Sequence, residues 1–308
     1  MSLKRPFCAA AATVCAFSTL PSVNAEPVVD QGSAEDLGVM SISLKEIVKP
    51  QVGIQARSQG AGTPNMAGIG AFLPLLKTKN SVLFADIQGN VNFPDVGEIS
   101  SVVNTTISGS AISSSSRLGL RWLNGDRNWM YGLNAGYDTR PVTSSGINSG
   151  TNIGGEKTFL FQQVGINVEA ISEKLALDAY ALLPASETQH KLDDSYQVDE
   201  LTTLGINIGR HLNPNLKASI GYYLQLNPAE EESDGSGVLG RLSYAIDSST
   251  LIGASVTYDK EFKTKASFDI TWRFKTHSQE SGAPLTDSVV VSALSAAPPN
   301  RDIRIEIE

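Results

Sequence analysis

The sequence predicts an all-β fold: a single antiparallel, up-and-down transmembrane β-barrel of about 12 strands, with a C-terminal segment predicted to thread its lumen. Three observations carry that prediction. Apolar and polar residues alternate along twelve segments, the connections alternate between short and long, and aromatics collect at the segment ends.

The first element is a leader. In MSLKRPFCAAAATVCAFSTLPSVNA, Lys4 and Arg5 precede an apolar run from Phe7 to Leu20, and Val23-Asn24-Ala25 offers a small-residue cleavage site. These are the three parts of a secretory signal, placed at residues 1–25. A membrane anchor fits less well, because Thr13, Ser18 and Thr19 break a run already too short to span. Both cysteines, Cys8 and Cys15, fall inside the leader, so the chain after it has no thiol for a disulfide or a thiolate metal site. Losing Lys4 and Arg5 makes the formal charge of −8 two units more negative. An acidic exported chain is a poor partner for nucleic acid. Residues 26–49 then form a short periplasmic segment.

The barrel is predicted over residues 50–274. Its segments are 50–58, 67–75, 81–93, 113–124, 128–139, 161–171, 175–183, 201–212, 216–226, 237–246, 250–259 and 264–274. In NWMYGLNAGYDTRP, Trp129, Tyr131, Leu133, Ala135 and Tyr137 share one face, and Met130, Gly132, Asn134, Gly136 and Asp138 the other. A period of two marks a strand with one apolar side. GDR, SEK, NPN and DSS make short turns, whereas 94–112, 140–160, 184–200 and 227–236 are long. Short turns on one side and long loops on the other is the layout of outer-membrane barrels.

A soluble sandwich also alternates, but three features oppose it. The polar face is rich in Gly, Asn and Gln with isolated charges of both signs. The segments run about 9–12 residues, the length that crosses a bilayer at a tilt. The aromatics also form two belts. Trp122, Trp129, Tyr244, Trp272 and Phe274 map to the short-turn side, and Tyr137, Tyr258 and Phe262 to the long-loop side. The apolar face therefore meets outer-membrane lipid.

The inner face carries Asp86, Arg117, Arg121, Asp138, Glu169, Asp178, Lys217, Arg241, Asp259, Lys265, Asp269 and Arg273. Mixed signs in a narrow barrel predict charges that meet across the lumen, more than a charge-lined pore. Inward glycines at Gly132, Gly165 and Gly205 leave room beside them, or else ease strand curvature.

No catalytic, cofactor or metal site is predicted. GSGVLG (235–240) enters a strand, not a helix, and so fails as a dinucleotide loop. His190, His211 and His277 have no serine partner in triad-like spacing, and His211 is followed by Leu212 and Asn213 rather than by the serine that outer-membrane phospholipases use. The acidic runs at 192–200 and 230–234 lack the ligand spacing of a calcium loop.

The order of the phrases resembles the β-domain of the inverse autotransporters, the intimin and invasin type. Those phrases are GIGAFLPL (68–75), SVLFADIQGN (81–90), RLGLRWL (117–123), WMYGLNAGYDTRP (129–141), VGINVEA (164–170), LDAYALLP (177–184) and IGYYLQ (220–225). PPNRDIRIEIE (298–308) is similar to the segment that precedes the family's passenger. The resemblance implies a non-enzymatic outer-membrane anchor and translocator, whose tail passes back through the lumen. Residues 26–48 are too short for a peptidoglycan-binding module, and no adhesin passenger follows within the sequence. A small passive porin is the alternative, and a secreted soluble β-protein a more distant one.

Two expectations concern partners. FDITWRF ends at Phe274 with the terminal aromatic that the barrel-assembly machinery recognises in closing strands. The tail, 275–308, is predicted to carry a helix over Leu285–Ala297, capped by Thr286 or Asp287 and ended by Pro298. An extended threading, suggested by Val289-Val290-Val291, and a disordered periplasmic tail are the alternatives. Beyond the barrel, the alternating Ile303, Ile305 and Ile307 would offer an edge strand to a surface partner.

Overall fold

In a computed structural model of the chain, described over residues 44–93, 111–144, 157–191, 197–227, 235–260, 262–275 and 288–307, the alternating segments are strands. They are β1 (Gln51–Arg57), β2 (Asn65–Lys77), β3 (Ser81–Phe93), β4 (Ala111–Leu123), β5 (Trp129–Ser144), β6 (Lys157–Ser172) and β7 (Leu175–Pro184). Two short strands follow, β8 (Gln189–Lys191) and β9 (Gln197–Glu200). Then come β10 (Thr202–Asn213), β11 (Leu216–Leu226), β12 (Gly235–Ala245), β13 (Thr250–Asp259), β14 (Lys263–Lys275) and β15 (Ile305–Ile307). Two short helices flank the set, α1 (Leu44–Ile47) and α2 (Val289–Ala293).

Twelve strands close a barrel, each antiparallel to its sequence neighbour, with β7 passing to β10 and β1 returning to β14. Closure pairs every strand on both sides, which a lipid-exposed sheet requires because hydrocarbon offers no hydrogen bonds to an open edge. The remaining strands, β8, β9 and β15, form a small separate sheet in the order β15-β9-β8.

Period-two alternation decides which side each residue faces. Leu118, Leu133, Ile166, Ile208, Ile220, Leu242, Val256 and Ile270 stand exposed on the outside, and their sequence neighbours turn inward. Trp122, Trp129, Tyr244, Trp272 and Phe274 ring the short-turn end of that surface, and Tyr137 and Tyr258 the other end. Tyr131 joins the lower ring, its side chain stacked on Trp129 at 6.1 Å and tilted against Trp122 at 6.0 Å.

The structure corrects four expectations. Phe262 is not a belt residue: it is buried with Ala61 and Leu201, and its ring covers Gly62 at a positive φ of 67°. The β5–β6 hairpin runs past 139 and starts before 161, because Val142, Phe159 and Phe161 pack on Ile303 and Ile305 of the tail. The tail helix spans only Val289–Ala293 instead of Leu285–Ala297, and its N-cap is Ser288. Thr286 and Asp287, like the leader and residues 276–287, lie outside the described residues. Finally, the isoleucine alternation is not left for a partner: Ile303 and Ile305 are buried, and β15 pairs with β9 of the same chain.

A paired substitution tests the assigned faces. Ile220 is 70% exposed on the outer face of β11, and Ser219 beside it faces the lumen. Ile220→Arg should weaken the inserted barrel by about 2–4 kcal/mol, the cost of a cation near the bilayer midplane. Ser219→Arg should cost far less, as read by urea unfolding in liposomes. Asn134 makes a poorer lumen control than Ser219, because its side chain is packed against Phe84 at Gly119.

Candidate functional site: a lumen filled by its own tail

The lumen is occupied by residues 288–305. At the short-turn end, Ser288 Oγ donates to Glu173 in the β6–β7 turn. Helix α2 then buries Val290, Ala293 and Leu294 among Phe72, Val82, Phe84, Leu123 and Met130 of the barrel and Leu44 and Val48 of the segment before β1. Phe72 and Phe84 stack at 5.2 Å. This apolar plug explains why a β-branched run forms a single helical turn: packing, not propensity, holds it.

Above the plug the tail is extended, and the wall takes hold of its backbone. Arg121 Nη1 donates to the carbonyls of Leu294 (3.3 Å) and Ala296 (2.6 Å). Arg117 Nη2 donates to that of Asn300 (3.2 Å), and Gln163 Nε2 to that of Arg301 (3.2 Å). Arg140 Nη1 reaches the carbonyl of Ile303 (2.6 Å) and that of Gly62 in the β1–β2 loop (2.7 Å). Asn300 has a positive φ of 57°, which asparagine tolerates, and its amide reaches Asp178 at 3.0 Å.

Several of the inner charges are paired. Arg117 forms a two-pronged bond to Asp138, both contacts 2.7 Å, the planar geometry that suits guanidinium and carboxylate. Arg121 Nε bonds Glu169 at 2.7 Å, and Arg241 bonds Asp269 at 2.6 and 2.9 Å. Asp86 is shared: Arg273 of the wall approaches at 3.4 Å and Arg301 of the tail at 2.7 Å. Arg57 grips Asp302 with both terminal nitrogens, at 2.5 and 2.7 Å. Lys217 faces the lumen across from His211 and Ser243.

The inward glycines accommodate long neighbours. A Cβ at Gly165 would meet the Arg117 guanidinium at 2.6 Å, one at Gly132 the Glu169 carboxylate at 2.5 Å, and one at Gly205 the Tyr180 ring at 2.3 Å. Sequence reasoning missed Arg57, Arg140, Gln163, Asn300, Arg301 and Asp302. Arg140 lay one residue past the predicted strand, although it keeps the inward parity of Asp138.

At the long-loop end the small sheet clamps the tail. Asp199 accepts from Asn227 (2.8 Å) and Gln189 (3.3 Å), and His190 stacks on Phe159 at 4.6 Å. Burial pushes the Glu200 carboxyl up to about 8, against the pull of the Gln162 amide and the Arg140 guanidinium. Among the described residues, no cluster of His, Cys, Asp or Glu is placed to hold a metal ion.

Two predictions follow from these contacts. Arg121→Met strands a buried Glu169 and should destabilise the barrel by about 3–5 kcal/mol, with most of the loss recovered by adding Glu169→Gln, as read by urea midpoints. The raised Glu200 carboxyl stabilises the docked sheet in full below its ordinary value of 4.5 and loses that contribution as pH rises through about 8. Protease release of β15 should therefore be faster at about pH 9 than at about pH 6, and Glu200→Gln should abolish the difference.

No protein-family model matches the chain, and no curated protein does. Solved structures do. A membrane protein from a study of in-meso crystallization is 12% identical over 85% of this chain and 100% of its own, with a TM-score of 0.59. An outer membrane channel from Pseudomonas putida F1 is 10% identical over 74% and 96%, with a TM-score of 0.50. The outer membrane phospholipase of Salmonella typhi is 11% identical over 74% and 90%, at a TM-score of only 0.37. At such identities the likeness is one of fold: this chain has the architecture of an outer-membrane β-barrel.

Proposed function

We propose that the chain is an outer-membrane anchor and translocator of the inverse autotransporter type, with its own C-terminal segment as the threaded polypeptide. One observation carries this reading: four wall side chains donate to five carbonyls of the tail, at Leu294, Ala296, Asn300, Arg301 and Ile303. A bond to a backbone carbonyl does not itself read the side chain, which is what a conduit for polypeptide needs. The order of the strand phrases supports the same family. In this reading residues 1–25 are the cleaved signal, residues 26–49 are periplasmic, and the long loops face outward. The strand ending at Phe274 is then read by the barrel-assembly machinery, and the tail's end is presented at the surface.

The porin reading draws on a different observation, the partly exposed lumen lining on β11–β14. It requires the tail to leave. A cysteine at Ile307 separates the two readings, because no other cysteine follows Cys15. Labelling by a membrane-impermeant maleimide on intact cells is the expected result. Labelling only after the outer membrane is permeabilised would put the tail's end in the periplasm and favour the porin.

A further inference from the structure

The tail leans on one side of the barrel. Its hydrogen bonds below the long-loop end go to β3, β4, β6 and β7, through Asp86, Ser115, Arg117, Arg121, Gln163, Asn167 and Asp178. On the opposite wall, polar inward residues of β12–β14 bond one another. Arg241 spends its donors within the wall, on Asp269, Ser243 and Ser255. The two walls differ in burial accordingly. The side chains of Arg241 and Asp269 are 27% and 16% exposed, against 1% for Arg117 and Arg121. Ser219, Ser267 and Thr271 are half-buried too, and Leu251, inward at the short-turn end, is exposed. Ser219, Arg241 and Asp269, inward and away from the strand ends, are exposed to space inside the lumen, which is lined by serine, threonine and charge together with Leu239.

Toward the long-loop end the same wall shuts. Tyr223, Gln225 and Asp259 are buried, and so are Phe262 and Leu201 at the same end. The Tyr223 ring lies across Gly237 of the next strand, where a Cβ would meet it at 2.2 Å. Its hydroxyl donates to Asp259 Oδ2 at 2.5 Å, Asp259 Oδ1 accepts from the Phe262 amide at 2.6 Å, and the Arg304 guanidinium covers the ring at 4.1 Å. The ring is thus fixed from the wall on one side and from the tail on the other.

We infer that the threaded barrel keeps a water-filled passage along β11–β14, closed at the long-loop end by the Tyr223 ring, which makes it a gated conduit for small hydrated ions. The inference needs the tail in the lumen but does not depend on export of the tail's end. Gly237 beside the ring gives it somewhere to be, and its two polar clamps give it a reason to stay.

Purified full-length protein in planar bilayers tests this. Wild type should be closed, and Tyr223→Ala should carry a steady current that Ser219→Trp, placed in the passage of the same chain, removes. Heat-modifiable mobility establishes that each variant is folded. If Tyr223→Ala does not fold, Asp259→Asn, which weakens the clamp and keeps the ring, should give flickering openings. A chain lacking residues 276–308 is the reference for an emptied lumen. Closed Tyr223→Ala or Asp259→Asn beside a conducting truncated chain would overturn the passage. Current in Tyr223→Ala that Ser219→Trp leaves untouched would overturn it equally, since it would run where the tail had been displaced. The maleimide result at Ile307 is independent of either outcome.

Discussion

The buried guanidinium groups of β4 and β5 are the constraint on which the rest of the structure depends. Arg117, Arg121 and Arg140 point into the part of the lumen that the tail fills, where they are buried, and each needs acceptors from within the chain. Carboxylates supply part of that need for the first two, through Asp138 and Glu169. Tail carbonyls supply more of it, with the Ser116 carbonyl at Arg117 and the Gly62 carbonyl at Arg140. The tail is therefore built into the wall's hydrogen bonding. Its backbone, which would be costly to bury in an apolar channel, is satisfied by the same contacts that neutralise the wall.

Two kinds of packing hold the tail at its ends. At the short-turn end, apolar side chains from β2–β5, α1 and α2 form a plug that needs no particular hydrogen bonds. At the long-loop end, β15 is added to β9, and Ile303 and Ile305 enter a small apolar cluster under the hairpin. Between these ends the chain is extended and held by long donors. Inward glycines allow those donors to lie flat: without the space at Gly165, the Arg117 guanidinium could not reach Asp138 and Asn300 together.

Much of this was legible in the sequence because lipid and lumen impose opposite demands on adjacent residues. That contrast made the twelve strands, their faces and the alternation of turn lengths readable from residues such as Leu133 and Asn134. Pairing across the lumen was not readable, since Arg121 meets Glu169 across 48 residues and Arg301 meets Asp86 across 215. Nor was the fate of the tail. Val289-Val290-Val291 is poor helix material that tertiary packing bends into one turn, and Ile303-Ile305-Ile307 alternates like a free edge strand but is consumed by β9. The small sheet went unseen because β8 and β9 have 3 and 4 residues inside a polar loop. Phe262 read as a belt aromatic by its position at a loop, but Gly62, with no side chain, leaves a place for its ring inside.

Arg140 shows how closely barrel and tail are matched. Unlike Arg117 and Arg121, it bonds no carboxylate; its Nη1 donates to two carbonyls, one from the β1–β2 loop and one from the tail. Withdrawing the tail would leave Arg117 and Arg121 with their ion pairs, but would take from Arg140 half of its acceptors. Arg121 would lose two of its three acceptors and Arg57 the Asp302 carboxylate, so the loss runs along the whole wall. Arg140 also lies within reach of Glu200, the buried acid of the sheet that clamps β15. A barrel that merely enclosed its tail would have no need of such a site. Here Arg140 Nη1 has both of its carbonyl acceptors only when the loop and the tail are docked together. That makes occupancy of the lumen and order at its mouth one and the same equilibrium.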